Sequence, residues 1–185
     1  NVGSLGLESE SGVFGALERA FGHAGSTASY DDVRAADVVL MIDSDIAEEQ
    51  TVLGINVRKA VRRGARLIVI SPDETRMARL ADMWIRCERR EIGDVLAKMM
   101  EGRFGNASSL PYELEGLEDL KAAARSASVS PTVEGGTLVE AAEEFAGASR
   151  GVLIASALSF EAATAERDAT LAVALAALAG APGAV

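Results

Sequence analysis

Four short stretches of this chain carry side chains suited to binding chemistry: Asp43-Ser44-Asp45, Ser71-Pro72-Asp73, Ile92-Gly93-Asp94 and Ser156-Ala157-Leu158-Ser159. Carboxylates and hydroxyls of this kind accept hydrogen bonds from ribose hydroxyls, from purine ring N–H groups, or from the first free backbone N–H groups of a helix. Taken singly, each stretch reads as a helix cap. Their recurrence after successive apolar runs is what favours a ligand. The rim they would form is acidic, which repels phosphate unless Arg side chains or helix N-termini offset it. The glycine-rich fingerprint of NAD-binding domains is absent, so a standard NAD site is not expected.

Nucleophilic and metal chemistry have little to stand on. The chain holds one cysteine, Cys87, and one histidine, His23. A lone cysteine forms no internal disulfide and cannot by itself ligate an iron–sulfur or zinc cluster. Cys87 sits in an apolar run and reads as a buried thiol. His23 follows Gly22 at the end of a short helical pattern, which suits a helix end or a loop. No catalytic residue and no metal ligand is expected within the segment.

The four stretches need elements to hold them together. Residues 37–42 (Asp-Val-Val-Leu-Met-Ile) form a continuous apolar run, the pattern of a strand buried on both faces. From Glu48 onward, apolar residues at helical spacing (Val52, Leu53, Val57, Ala60, Val61) alternate with Arg58, Arg62 and Arg63, and Gly64 ends the pattern. A second buried strand follows at 66–70. Strand, helix and strand in about thirty residues make a βαβ unit with a right-handed crossover. Residues 74–82 read as a short helix, 83–87 as a third strand and 95–100 as a helix. A surface excursion is expected at 101–136, with one helix at 117–125. Then come a helix at 137–146, a strand at 151–155 and an Ala-rich helix at 160–178, closed by Gly180. A short helix at 12–21 leads through a connector at 26–34 into the first strand. This is a single α/β domain over 1–185 on a parallel sheet.

Bulk composition agrees with that plan. At 185 residues the chain is long enough to bury roughly 70% of its unfolded surface without a metal or disulfide staple. Hydrophobic residues make up 49% and aromatics only 4%, so the core is aliphatic. The formal net charge is -10, which disfavours nucleic-acid binding. Only three lysines are present, so most positive charge sits on Arg, which can hold a phosphate or carboxylate through paired hydrogen bonds. The apolar run at 169–179 is too short to span a bilayer. No signal peptide is recognisable, and a start at Asn1 without Met reads as a piece of a longer polypeptide; a cytoplasmic parent is expected.

Several runs carry a family resemblance. Ser29-Tyr30-Asp31-Asp32-Val33-Arg34-Ala35-Ala36-Asp37 leads into the first strand. Val52-Leu53-Gly54 follows, then Arg58-Lys59-Ala60-Val61-Arg62-Arg63-Gly64-Ala65-Arg66-Leu67-Ile68-Val69-Ile70, Pro72, and Ala78-Arg79-Leu80-Ala81-Asp82. Further along are Leu114-Glu115-Gly116-Leu117-Glu118-Asp119-Leu120, Glu140 to Gly151, and Leu175-Ala176-Ala177-Leu178-Ala179-Gly180 followed by Pro182-Gly183. Together they resemble the molybdopterin oxidoreductases, which include formate dehydrogenase catalytic subunits and the large iron–sulfur subunit of NADH:quinone oxidoreductase.

The resemblance implies a doubly wound, Rossmann-like domain: a mainly parallel sheet with helices on both faces. It implies strand-end loops that hold one guanosine-phosphate arm of a molybdopterin guanine dinucleotide. By position, Asp43, Ser44 and Asp45 would face phosphate and ribose, Asp73 the ribose or guanine, and Gly93 with Asp94 the guanine, with Ser71 also among the cofactor-binding residues. Any iron–sulfur clusters would lie outside this segment. Partners would be other domains of the parent chain and redox partner subunits, with no nucleic acid and no direct membrane insertion. The domain would not be catalytic alone.

Departures from the family pattern support an alternative, a scaffold or interaction domain that has lost the dinucleotide site. Cofactor-binding members carry Gly, a small residue and Asn after the first strand, where this chain has Asp43, Ser44 and Asp45. Gln50-Thr51 stand where His-Pro is usual, Ser71-Pro72-Asp73 replace Asp-Pro-Arg, and Ser156 to Ser159 replace a Gly-containing loop with Gln. An Asp for Asn beside a phosphate adds repulsion on the order of 1 kcal/mol or more.

Overall fold

Val38–Ile42 (β1) is buried at every position, as its uninterrupted apolar sequence requires, because helices cover both of its faces. In the computed structural model, which describes residues 7–22, 26–104, 117–178 and 183–184, β1 is the middle strand of a five-stranded sheet. The others are Arg66–Ile70 (β2), Met83–Ile85 (β3), Gly151–Ala155 (β4) and the two-residue Gly183–Ala184 (β5). Their order is β3-β2-β1-β4-β5, and every pairing is parallel. The chain steps outward from β1 to β3 in one direction, then returns to place β4 on the other side of β1. The strand order therefore reverses between β1 and β4.

Alternate residues of β1 feed two separate cores. Val38, Leu40 and Ile42 join a core shared with Leu7–Phe21 (α1), Ile92–Phe104 (α5), Leu117–Ser126 (α6), Gly135–Gly147 (α7) and Ala165–Leu178 (α8). Val39 and Met41 face the opposite side, against Tyr30–Ala35 (α2), Ile46–Glu49 (α3) and Thr51–Arg62 (α4). This is the doubly wound α/β architecture the sequence implies.

Local signals explain most boundaries. Gly64 takes a φ of +100° just beyond α4, the left-handed conformation that lets a helix turn off into a strand, and Ala65 N–H donates to Ala60 C=O. Thr51 is the first residue of α4, the helix position where proline fits without losing a hydrogen bond.

Several features differ from the sequence expectation: the helix expected from Glu48 is broken at Gln50 into α3 and α4, the third strand ends at Ile85 and not at 87, and β5 was not expected. The connector at 26–34 contains α2, started by a capping box in which Ser29 and Asp32 exchange side-chain-to-backbone bonds. The helix expected at 74–82 is a single 3-10 turn, Ala78–Leu80, because Asp82 leaves helical geometry to accept the Leu67 N–H at the foot of the sheet. The last helix begins at Ala165, not at 160, after a 3-10 turn at Ala157–Ser159. Within the stretch expected to run over the surface, α6 packs on α5, and Ala124, Ala127 and Val133 join the core. His23, Gly180 and residues 105–116 lie outside the described residues.

Candidate functional site

The carboxyl ends of β1 and β4 meet where the strand order reverses, and the two loops are fastened together there. The Ser159 hydroxyl donates to the Ile42 carbonyl at 2.7 Å and lies 3.2 Å from the Asp43 carbonyl, and it accepts from the Ser156 N–H at 3.0 Å. Ser159 is fully buried, so its hydroxyl serves the protein and not a ligand. A cleft of about 570 Å³ opens beside this junction, lined by Asp43, Arg89, Leu158, Phe160, Glu161, Ala162 and Ala163. Ligand sites of open parallel sheets form at such reversals, because loops from neighbouring strands diverge and leave a crevice.

Asp43 is the unusual residue of the cleft. Its φ of +34° lies in the left-handed region, and among the described residues it is the one non-glycine residue there. Backbone bonds hold it in place: its N–H extends the β1–β2 ladder by donating to Ile70 C=O at 2.7 Å. Its carboxylate, on a side chain only 8% exposed, pairs with Arg89 Nε at 2.5 Å. Arg89 comes from the 3-10 turn Arg89–Glu91 that follows β3, so its side chain reaches back past β2.

Next to it, Ser44 is buried, and Asp45 precedes α3 without capping it. The Asp45 Oδ1 atom is buried with no hydrogen-bond partner among the described residues. A buried carboxylate oxygen without a donor costs stability.

The β2 loop is occupied by its own structure. The Ser71 hydroxyl donates to Asp73 C=O at 2.9 Å and accepts from Trp84 Nε1 at 3.1 Å, and Arg86 lies over the Trp84 ring at 5.7 Å. Asp73 projects to solvent.

Gly93 and Asp94 lie in the first turn of α5, packed against the start of α8. A Cβ on Gly93 would fall 1.9 Å from Asp168 Oδ1 and 2.5 Å from Arg167 Nη2. Asp168 is fully buried, receiving the Thr164 hydroxyl at 2.6 Å and Arg167 Nε at 2.9 Å, while Arg167 Nη2 also pairs with Asp94 at 3.2 Å. The glycine is thus needed for helix-to-helix approach.

Of the residues expected from sequence, the fold brings Asp43 to the cleft with Ser44 and Asp45 following it in the same loop, seats Ser71 and Asp73 one strand away, and ties Gly93 and Asp94 into the α5–α8 contact. Sequence reasoning missed Arg89, whose signal is hidden in a charged run (Glu88-Arg89-Arg90-Glu91). Cys87 is buried as expected, its thiol pushed up to about 12 by burial and, less strongly, by Glu91, Asp43 and Glu88. Such a thiol stays protonated and unreactive.

The molybdopterin oxidoreductase family model matches residues 5–103, more than half of the chain. The chain belongs to the molybdopterin oxidoreductase family. Among curated members, the F420-dependent formate dehydrogenase subunit alpha of Methanocaldococcus jannaschii is 30% identical over 70 residues, 38% of this chain and 10% of that protein. The F420-dependent formate dehydrogenase 1 subunit alpha of Methanococcus maripaludis is 33% identical over 70 residues, with the same coverage. The aligned segment is thus about a tenth of the length of these relatives. Among solved structures, acetylene hydratase from Pelobacter acetylenicus superposes with a TM-score of 0.70 at 21% identity, over 95% of this chain and 25% of that one. That likeness shows the family's fold.

Proposed function

We propose that this chain is the α/β domain of a redox subunit, of the formate dehydrogenase type or the large iron–sulfur subunit type of NADH:quinone oxidoreductase, and that it is not catalytic alone. Family membership and the two formate dehydrogenase relatives support this reading. In the parent protein a molybdopterin cofactor would supply the redox chemistry, with this domain packed beside it. Cysteine-ligated clusters would draw on other segments, since Cys87 is single and its thiol is held protonated. Its partners would be the remaining domains of the parent chain and redox subunits docked to them. A cytoplasmic setting is part of this proposal; among the described residues no helix is long and apolar enough to cross a membrane.

The strand-end cleft favours the second reading, in which the dinucleotide arm has been lost while the domain's structural role persists. The observation that carries it is the pairing of Arg89 with Asp43. Among the described residues Arg89 is the one base lining the cleft, and its charge is already met by Asp43, while Glu161 lines the same space. This donor set does not fit a diphosphate.

Two measurements test the two levels. The parent protein, purified with its partners, is expected to reduce an artificial dye with formate or NADH, whereas the 185-residue chain alone is not; a parent inactive with both donors and devoid of pterin would sink the redox assignment. Calorimetry of the chain with GDP is expected to show no saturation at millimolar ligand. Saturable binding abolished by Asp94→Ala would instead mean that the guanosine arm is kept.

A further inference from the structure

We propose that Asp43 is an internal anion: its carboxylate occupies the position that Arg89 would otherwise offer to a phosphate, so one side chain closes the cleft to phosphate esters. This rests on the reading that the dinucleotide arm is lost, and it names the atoms responsible.

The pair has the geometry of a built-in ligand and not of a casual surface bridge. Carboxylate and phosphoryl oxygens compete for the same guanidinium donors. The Asp43 side chain is only 8% exposed while that of Arg89 is 51% exposed, so the carboxylate lies inside and the guanidinium closes over it from the rim. An exposed ion pair holds its partners loosely; here the acid is fixed by its backbone. Asp43 donates to Ile70 C=O from one side, and the Ser159 hydroxyl approaches its carbonyl from the other. Its φ of +34° turns the side chain away from the path an extended residue would take after β1.

A phosphate entering the cleft must displace that carboxylate from Arg89 and then sit beside it, with Glu161 adding a second negative charge. The ligand class admitted when Asp43 is neutralised is therefore a small phosphate ester or diphosphate, with Phe160 and the exposed Leu158 offering apolar contact to an attached base.

The test titrates GDP and inorganic pyrophosphate into the wild-type chain, Asp43→Asn, Asp43→Gly and Asp43→Asn/Arg89→Ala. Asn and Gly are the residues best tolerated at positive φ, so both single variants keep the loop. Removing the carboxylate is expected to raise affinity for both probes by roughly tenfold or more over the wild-type limit. The double variant is expected to fall back to that limit. Equal gains for the two probes mean that the anion alone is recognised, and a larger gain for GDP means that the cleft also takes the nucleoside; both support the proposal. A folded Asp43→Asn with no gain, circular dichroism and melting unchanged, overturns the internal anion and leaves the lost-arm reading standing. Wild-type chain binding GDP as tightly as the variants overturns both.

Discussion

At the scale of single residues, the acids of this chain divide by where they stand in the sheet. Those at the feet of the strands are fully engaged: Asp37 accepts the Ser149 and Arg150 N–H groups, tying β1 to β4, and Asp82 accepts the Leu67 N–H and Arg66, tying β3 to β2. These are the acids that close the two family-like runs, and their roles are structural. The acids at the strand tops differ: Asp43 is strained and paired, and Asp45 has an unmet oxygen. Gly93 belongs with the first group. Its place in the sequence suggested a guanine contact, but its missing Cβ is the space that the buried Asp168 carboxylate fills. Gly93→Ala is expected to destabilise the chain by about 1–3 kcal/mol, the usual cost of overpacking a close contact. Urea unfolding reads this directly. A variant as stable as wild type would mean that the α5–α8 contact yields at little cost and that the glycine answers to something else.

At the scale of elements, what the sequence revealed and what it hid follow from range. The strands were legible because β1, β2 and β4 are apolar runs covered on both faces, a pattern that needs no partner to be recognised. The capping box of α2 was equally local, Ser29 with Asp32 three residues on, yet six residues of helix between two longer elements read as a connector. The start of α8 was misplaced by five residues because the residues before it form an Asp43-facing junction, and that contact spans 116 residues of sequence. Arg89 was hidden for the same reason. The α2 cap makes its own prediction. Asp32 is held below its ordinary value of 3.8 chiefly by the Ser29 hydroxyl, with the Ser29 N–H second. A lowered carboxyl stabilises the fold above its unfolded value, and that contribution is lost as pH falls through the lowered folded value. Ser29→Ala is thus expected to lower Tm by about 2–4 °C near neutral pH. The gap to wild type should narrow as acid protonates Asp32. A gap unchanged down to strongly acidic pH would show that the cap acts without the carboxylate.

At the scale of the whole molecule, β1, with β2 and β4 on either side of it, makes one body of two cores. Leu40 and Met41 are adjacent in sequence and both fully buried, one facing α5 and α8, the other facing α3 and α4. A sheet that shares its middle strand between two layers transmits damage from one to the other, since losing either layer leaves β1 with an uncovered apolar face. The single tryptophan gives a probe of this coupling. Trp84 packs against the α2–α4 side through β3, remote in sequence from the α8 layer, and its Nε1–H is held by Ser71. Leu40→Ala removes volume only from the opposite core and is expected to cost about 2–5 kcal/mol. If the two layers fold as one, the Trp84 fluorescence midpoint in urea shifts by the same amount as the helical signal in circular dichroism. Were Trp84 to keep its wild-type midpoint while the helical signal moved, the layers would be separable units and β1 would not couple them. The cleft rests on the first of these cores: its floor is the top of β1, Arg89 lies between the core residues Cys87 and Ile92, and Phe160 is itself a core residue. The Asp43–Arg89 pair is therefore carried by elements packed in that core. A loss of packing at Leu40, three residues before Asp43 and in the same core, should therefore loosen the contact that closes the cleft.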